Sequence, residues 1–242
     1  MPDRFGPRGV VAIVIPIQNS NMQPEYEAMR PEGVSNQMYR FYLEGEGDTP
    51  RAAAVRVMPD ALKCWPDMVI VGNSVEMRRV SVAEHLRYRE RLTEAADGVR
   101  VVNAAEACEA ALRTLGAERI GLFNPMHEQH SKSAANYYRE LGFEVPHFSW
   151  LDVTRPEFII RVTSTEIEDV FSRIARDDVD ALLHVGGALG VVSQLEDLEE
   201  KLGKPIVSVN AATYWYALRT LGVSDPMPGF GSLLMHTNVA SG

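Results

Sequence analysis

The feature that most constrains this chain is an alternation. Short apolar, β-branched runs occur near residues 10–15, 37–43, 68–71, 99–102, 120–123, 144–150, 181–185 and 206–209. Helical patterns fill 49–63, 82–95, 104–115, 131–141, 164–176, 189–202 and 212–221. Runs that are apolar at every position, rather than every second one, suit strands covered on both faces. Such strands, alternating with helices, predict an α/β fold with doubly wound parallel sheets.

The alternation is written twice. A strand ends in Pro16-Ile17-Gln18-Asn19 in one half and in Asn124-Pro125-Met126-His127 in the other. A central strand ends in Val71-Gly72-Asn73-Ser74 and again in His184-Val185-Gly186-Gly187. A third strand leads into Val102-Asn103-Ala104-Ala105 and into Val209-Asn210-Ala211-Ala212. Two pseudo-symmetric α/β lobes are therefore expected, residues 1–105 and 106–220, with a tail of 221–242 packing back on the body. The last helix is expected to lean on the first lobe.

The chain has 242 residues, 45% of them apolar and 24% charged, which is enough for a sizeable core. A net charge of −9 repels a phosphate backbone, so nucleic acid is a poor partner. Arg87, Arg89 and Arg91 alternate with Glu84, Glu90 and Glu94, the mark of a solvated helix face. No apolar run is long enough to span a membrane and none reads as a secretory signal, so a cytoplasmic protein is expected. The two cysteines, Cys64 and Cys108, form no zinc-type spacing. Cys108 lies on an apolar helical stripe and reads as a buried small hydrophobe.

In open parallel sheets ligands bind beyond the carboxyl ends of the strands. Two facing lobes would gather 16–21, 72–75, Asn103, 124–130, 185–188 and 210–213 around one site. Those segments carry a resemblance. The run Ile15-Pro16-Ile17-Gln18-Asn19-Ser20-Asn21-Met22-Gln23-Pro24-Glu25 resembles the first loop of maleate isomerases. Val71-Gly72-Asn73-Ser74 resembles the Gly-Thr-Ser strand end of arylmalonate decarboxylases, and Val185-Gly186-Gly187 their Cys-Gly-Gly. Gly203-Lys204-Pro205-Ile206-Val207-Ser208, then Tyr214-Trp215, and finally Pro228-Gly229-Phe230-Gly231 are similar to later motifs of the same group. The resemblance is to the maleate isomerase and arylmalonate decarboxylase branch of the aspartate/glutamate racemase superfamily, and it implies that superfamily's two-lobed fold.

It also implies what is missing. Members use one or two cysteines, one per lobe, as nucleophile or proton donor. The matching positions here are Asn73 and Val185, and Met126 stands where many members place a tyrosine. Two-base racemisation and covalent cis–trans isomerisation lose their reactive groups. Decarboxylation or a related elimination asks for less: an anion hole, an apolar pocket and one proton donor.

The residues suggest how these might be met. Backbone N–H groups near Asn73, Ser74, Val75, Gly186 and Gly187 are expected at helix starts, where unpaired donors hold anions. Asn19 and Asn210 add side chains to the same frame, with Gly72 closing the turn. The plainer alternative is ordinary turn and cap residues. Val185, Met126, Tyr214 and Trp215 are expected to supply an apolar wall. His127-Glu128-Gln129-His130 opens a helix facing the cleft, so His127, His130 and Glu128 are candidate acid/base groups, and Asn73 a fourth catalytic candidate. His184 is expected in the core, because strand neighbours point to opposite faces. Gly72-Asn73-Ser74-Val75-Glu76 lacks the second glycine of a serine-nucleophile elbow.

The expectation is a cysteine-independent enzyme on a small carboxylic acid, of lyase or decarboxylase type or isomerase-related, with histidine acid/base chemistry. No cofactor and no metal are expected, and the partner is a small-molecule carboxylate. A homo-oligomer is expected because such assemblies are common among α/β enzymes. Two alternatives stay open: a non-catalytic binder or sensor of a small acid, and a hydrolase of a small amide-like acid.

Overall fold

The computed structural model describes residues 5–240. The first lobe runs β1 (Gly9–Pro16), α1 (Met22–Met29), β2 (Val34–Phe41), α2 (Pro50–Arg56), α3 (Met58–Ala61), β3 (Met68–Val71), α4 (Val82–Ala95) and β4 (Arg100–Asn103). It continues through α5 (Ala104–Thr114) into β5 (Arg119–Asn124), α6 (Glu128–Glu140), β6 (Glu144–Trp150), α7 (Ser164–Ile174), β7 (Ala181–His184), α8 (Leu195–Leu202), β8 (Ile206–Ser208) and α9 (Val209–Thr220).

The strands form two four-stranded parallel sheets, ordered β2-β1-β3-β4 and β6-β5-β7-β8. The orders are the same once the second set is renumbered, so the repeated motifs do mark a repeated architecture. In each sheet the chain steps outward from the first strand, then crosses back to its other side. The switch falls between β1 and β3, and between β5 and β7, where a crevice opens at the strand ends.

Val11 to Ile15 and Met68 to Val71 are fully buried, as a central strand covered on both faces requires. Side-chain caps set the helix starts. Ser81 with Glu84 and Thr163 with Glu166 form capping boxes for α4 and α7. Asn103 Oδ1 caps α5 by accepting from Glu106 N at 3.1 Å.

Three local expectations change. The stretch 49–63 breaks into α2, α3 and a short 3-10 turn, since Pro59 has no N–H for a continuous helix. Only the second half of 189–202 becomes α8, after a 3-10 turn at Val192–Gln194. Helix α1 went unread because its apolar residues are few and Pro24 interrupts them; Asn19 Oδ1 starts it by accepting from Met22 N at 3.0 Å.

Helix α9 packs against α1, α5, β3 and β4, so the end of the second lobe lies on the first. Tyr214 is fully buried there, stacked on Tyr26 at 4.9 Å, and its hydroxyl donates to Asn36 Oδ1 at 3.0 Å. After α9 the tail folds around one buried guanidinium. Arg219 donates to the carbonyls of Val223 (2.7 Å), Asp225 (2.9 Å) and His236 (2.8 Å), and Trp215 Nε1 also donates to the His236 carbonyl. Arg219→Met should therefore release the tail and cost at least about 2 kcal/mol, the scale of lost charge-assisted hydrogen bonds. Denaturant unfolding and limited proteolysis near residue 225 would measure it; unchanged stability would contradict this account of the tail.

Candidate functional site

The switch-point crevice is a cavity of about 160 Å³ between the lobes. That size suits a small acid better than a nucleotide-sized ligand. Its lining mixes apolar residues, Pro16, Met77, Pro125, Met126, Pro156 and Ile159, with polar or small ones, Gln18, Asn19, Gly72, Asn73, Ser74, Arg78, His130, Gly186, Gly187 and Ala188.

Two glycines shape the crevice. At Gly72 a Cβ would meet the end of the buried Met22 side chain, so glycine gives the thioether of α1 its place against the end of β3. Gly186 has φ 103°, a left-handed conformation that turns the chain after β7.

First-lobe side chains hold the second-lobe loop in place. Asn19 Nδ2 donates to the Gly187 carbonyl at 3.0 Å, and Asn21 Nδ2 to the Ala188 carbonyl at 2.7 Å. Gly186 N donates to Ser74 Oγ at 3.1 Å. Among the described residues, the backbone N–H groups of Ser74, Gly187 and Ala188 make no hydrogen bond. All three residues line the cavity, so unpaired donors from both lobes stand at its rim.

The charged groups complete the polar part of the lining. Arg78 ends the 3-10 turn after β3, and among the described residues its guanidinium forms no hydrogen bond or ion pair. Burial lowers its pKa, opposed by the charge of Glu76. His130, one turn into α6, reaches the cavity with a buried Nδ1 that has no partner. Burial first, then the charges of Arg78 and His127, lower its pKa, so the imidazole is neutral at pH 7.

The other acidic group is hidden. Glu76 is fully buried, with neither carboxylate oxygen hydrogen-bonded. Burial pushes it up to about 7, although its own N–H, the Ser74 hydroxyl and Arg78 favour the charged form. Its charge is felt by Cys108, Tyr137 and Tyr138, so it points into the α5–α6 packing rather than into the cavity.

Eight expected site residues line the cavity: Asn19, Gly72, Asn73, Ser74, Met126, His130, Gly186 and Gly187. The others lie elsewhere. His127 precedes α6 without a side-chain capping bond and pairs through Nδ1 with Asp152 Oδ1 at 3.0 Å, with 45% of its side chain exposed. Glu128 is exposed and paired with Lys132 at 2.9 Å. Val75, Val185 and Tyr214 are core residues. Asn210 sits inside α9 rather than capping it, and its Nδ2 donates to Glu25 Oε2 at 2.6 Å and to the Gly187 carbonyl at 3.0 Å. The two Asn-Ala-Ala sequences thus do different work. His184 is fully buried against Phe123 at 4.9 Å, with Nδ1 3.2 Å from Ser208 Oγ, and burial pushes its pKa down to about 3.

Reading the sequence missed Arg78, Met77, Pro156 and Ile159. Arg78 left no signal of its own: a cation in the last turn of a short 3-10 helix is an ordinary placement. Among the described residues, no group of three or more His, Cys, Asp or Glu is placed to hold a metal ion.

With this geometry in view, comparison with known proteins is decisive about family. The sequence model described as arylmalonate decarboxylase matches residues 52–234. The chain belongs to the arylmalonate decarboxylase family. A maleate isomerase of Pseudomonas putida is 24% identical over 91% of this chain and 95% of that one. The arylmalonate decarboxylase of Bordetella bronchiseptica is 28% identical over 57% of this chain and 59% of its own. These relatives are enzymes. Among solved structures, a Nocardia farcinica maleate cis-trans isomerase, a Cys-to-Ser variant with a covalently bound succinylcysteine intermediate, superposes with a TM-score of 0.86. It is 21% identical, over 96% of this chain and 98% of that one. An arylmalonate decarboxylase structure gives 0.80 at 20% identity, over 94% and 99%. Both show the two-lobed fold expected above.

The Nocardia protein carries its intermediate on a cysteine. In this family member no cysteine lines the cavity: Cys108 is fully buried in α5, and Cys64 ends the 3-10 turn before β3. Burial raises the Cys108 thiol far above its ordinary pKa, which keeps it protonated.

The buried Glu76 gives a sign-definite test of how the turn after β3 packs against α5 and α6. Its folded pKa lies above the unfolded value near 4.5, so the folded state binds its proton more tightly. Stability is then lost as pH rises from about 4.5 to 7, by up to about 3 kcal/mol. Glu76→Gln should raise the Tm clearly at pH 8 and hardly at all at pH 4.5. An equal change at both pH values would remove this reading of Glu76.

Proposed function

We propose that this chain is an enzyme that acts on a small carboxylic acid without a thiol nucleophile, by decarboxylase- or lyase-type carbanion chemistry. The observation that carries the reading is the neighbouring pair in the cleft: an unpaired Arg78 guanidinium and a neutral, unpartnered His130. The relatives are maleate isomerases and an arylmalonate decarboxylase, which supports a small acid as substrate and an enzyme over a pure binder.

One carboxylate of the acid binds Arg78 and the free N–H groups of Ser74, Gly187 and Ala188. The apolar residues Met77, Met126, Pro156 and Ile159 take the part of the molecule that loses charge. When the carbon–carbon bond to a second carboxylate breaks, its electron pair moves into the first carboxylate as an enediolate and CO2 departs. Arg78 and the amides stabilise that charge where it develops. His130 then gives a proton to the carbon. Of the four candidates His127, His130, Glu128 and Asn73, this reading gives the proton transfer to His130 alone.

The neutral His130 must first acquire that proton. In the free protein Arg78 helps keep its pKa low. A bound anion offsets the Arg78 charge, so binding raises the His130 pKa and draws a proton from solvent. Calorimetric titration with a competent acid near pH 7, in buffers of different ionisation enthalpy, should show net proton uptake on binding; no uptake would separate His130 from the anion site.

A thermal-shift screen of mono- and dicarboxylates, with NMR of each hit for turnover, identifies the substrate. His130→Ala should then reduce turnover by about a hundredfold or more, the lower range for a lost general acid. Arg78→Met should weaken binding and lower turnover as well, because it removes charge stabilisation from the transition state, and thiol alkylation should leave activity intact. Full activity in His130→Ala, or its loss on alkylation, would overturn the proposal.

A further inference from the structure

Glu25 is an acid that the chemistry above does not use. It lies on α1 of the first lobe, yet its partners are in the second. Its Oε1 accepts from Val191 N and Val192 N, both at 2.7 Å, and its Oε2 accepts from Asn210 Nδ2 at 2.6 Å. Asn210 passes the contact on: its Nδ2 also donates to the Gly187 carbonyl at 3.0 Å, and a Cβ on Gly187 would fall 2.4 Å from its Oδ1. Glu25 therefore reaches the cavity wall through one side chain.

We propose that Glu25 is a positioning residue for the cleft: its carboxylate fills the amide pair of Val191 and Val192 and, through Asn210, fixes Gly187 and Ala188 toward the bound acid. The proposal rests on the reading of the cleft as a small-acid site. Successive backbone N–H groups in a turn form an anion-binding concavity. The loop after β7 has two such pairs, Gly187–Ala188 and Val191–Val192. With Glu25 in the second, a substrate carboxylate finds only the first open. The pseudo-symmetric lobes thereby become unlike, one anion site internal and the other shared with Arg78. Three donors and no acceptor face this carboxylate, the set that an ionised group needs and an amide cannot match. Burial nevertheless pushes its pKa up to about 7.

The test compares wild type, Glu25→Gln, Asn210→Ala and the double variant. Glu25→Gln keeps the size but sets an NH2 against that of Asn210. On maleate or phenylmalonate, KM should rise about tenfold, the scale of one lost charge-assisted bond, with kcat nearly unchanged. The double variant should be no worse than the poorer single one, because both act along one path. The 1H–15N resonances of Gly187 and Ala188 should move, and Val191 and Val192 amides should exchange faster in Glu25→Ala. If wild type converts neither acid, the proposed function loses support while the amide shifts and exchange still decide the role of Glu25. Unmoved Gly187 and Ala188 resonances in a folded Glu25→Gln, or single-variant effects that simply multiply, would overturn it.

Discussion

The cleft depends on a polar clamp between the lobes. Asn19, Asn21, Glu25 and Ser74 of the first lobe meet the loop 186–192 of the second through backbone groups. Each of these bonds satisfies a peptide group that would otherwise be costly to leave unpaired in a partly buried crevice. They also fix distance and direction, which apolar packing alone does not. Four first-lobe side chains use some of the loop's donors and acceptors, and among those left over are the Gly187 and Ala188 N–H groups of the cavity lining.

Electrostatics then gives the cavity its polarity. Arg78 is the cation without a carboxylate partner on the wall, while both strongly buried acids, Glu25 and Glu76, turn away from it. An arriving anion thus meets a guanidinium and free amides, with neither of these buried acids facing it. His130 is neutral because of that same guanidinium and its own burial. In the proposed reaction the anion site and the proton-transfer group would be coupled through one charge, so that binding itself prepares the donor.

Much of the fold was legible because strand burial writes itself as continuous apolar runs: β3, β6 and α4 have the bounds that the pattern indicated. The pseudo-symmetry was legible at Gly72 and Gly186, where turns after strands demand small residues. What the pattern could not carry was orientation. His127 and His130 share a motif, yet one ends in solvent with Asp152 and the other in the cleft. Tyr214 and Asn210 sit in a helix shared with the first lobe, so their surroundings are tertiary facts. Arg78 was overlooked because a single arginine has no periodicity; only its partnerless place beside a strand end distinguishes it.

The absence of a thiol takes its meaning from that arrangement. Covalent addition needs a soft nucleophile at the first-lobe strand end, and Asn73 stands there with its Nδ2 buried and unpartnered. An amide at this point can orient a ligand but cannot bond to it. In the proposed reaction His130, held neutral by its burial and by Arg78, moves the single proton. Two-base exchange would require a second acid/base group, and among the described residues the cavity lining holds no second histidine and no carboxylate, tyrosine or cysteine. Chemistry that loses a group and replaces it with a single proton asks for no second base, and so the proposed reaction fits a cleft whose lining, among the described residues, holds one histidine and no carboxylate.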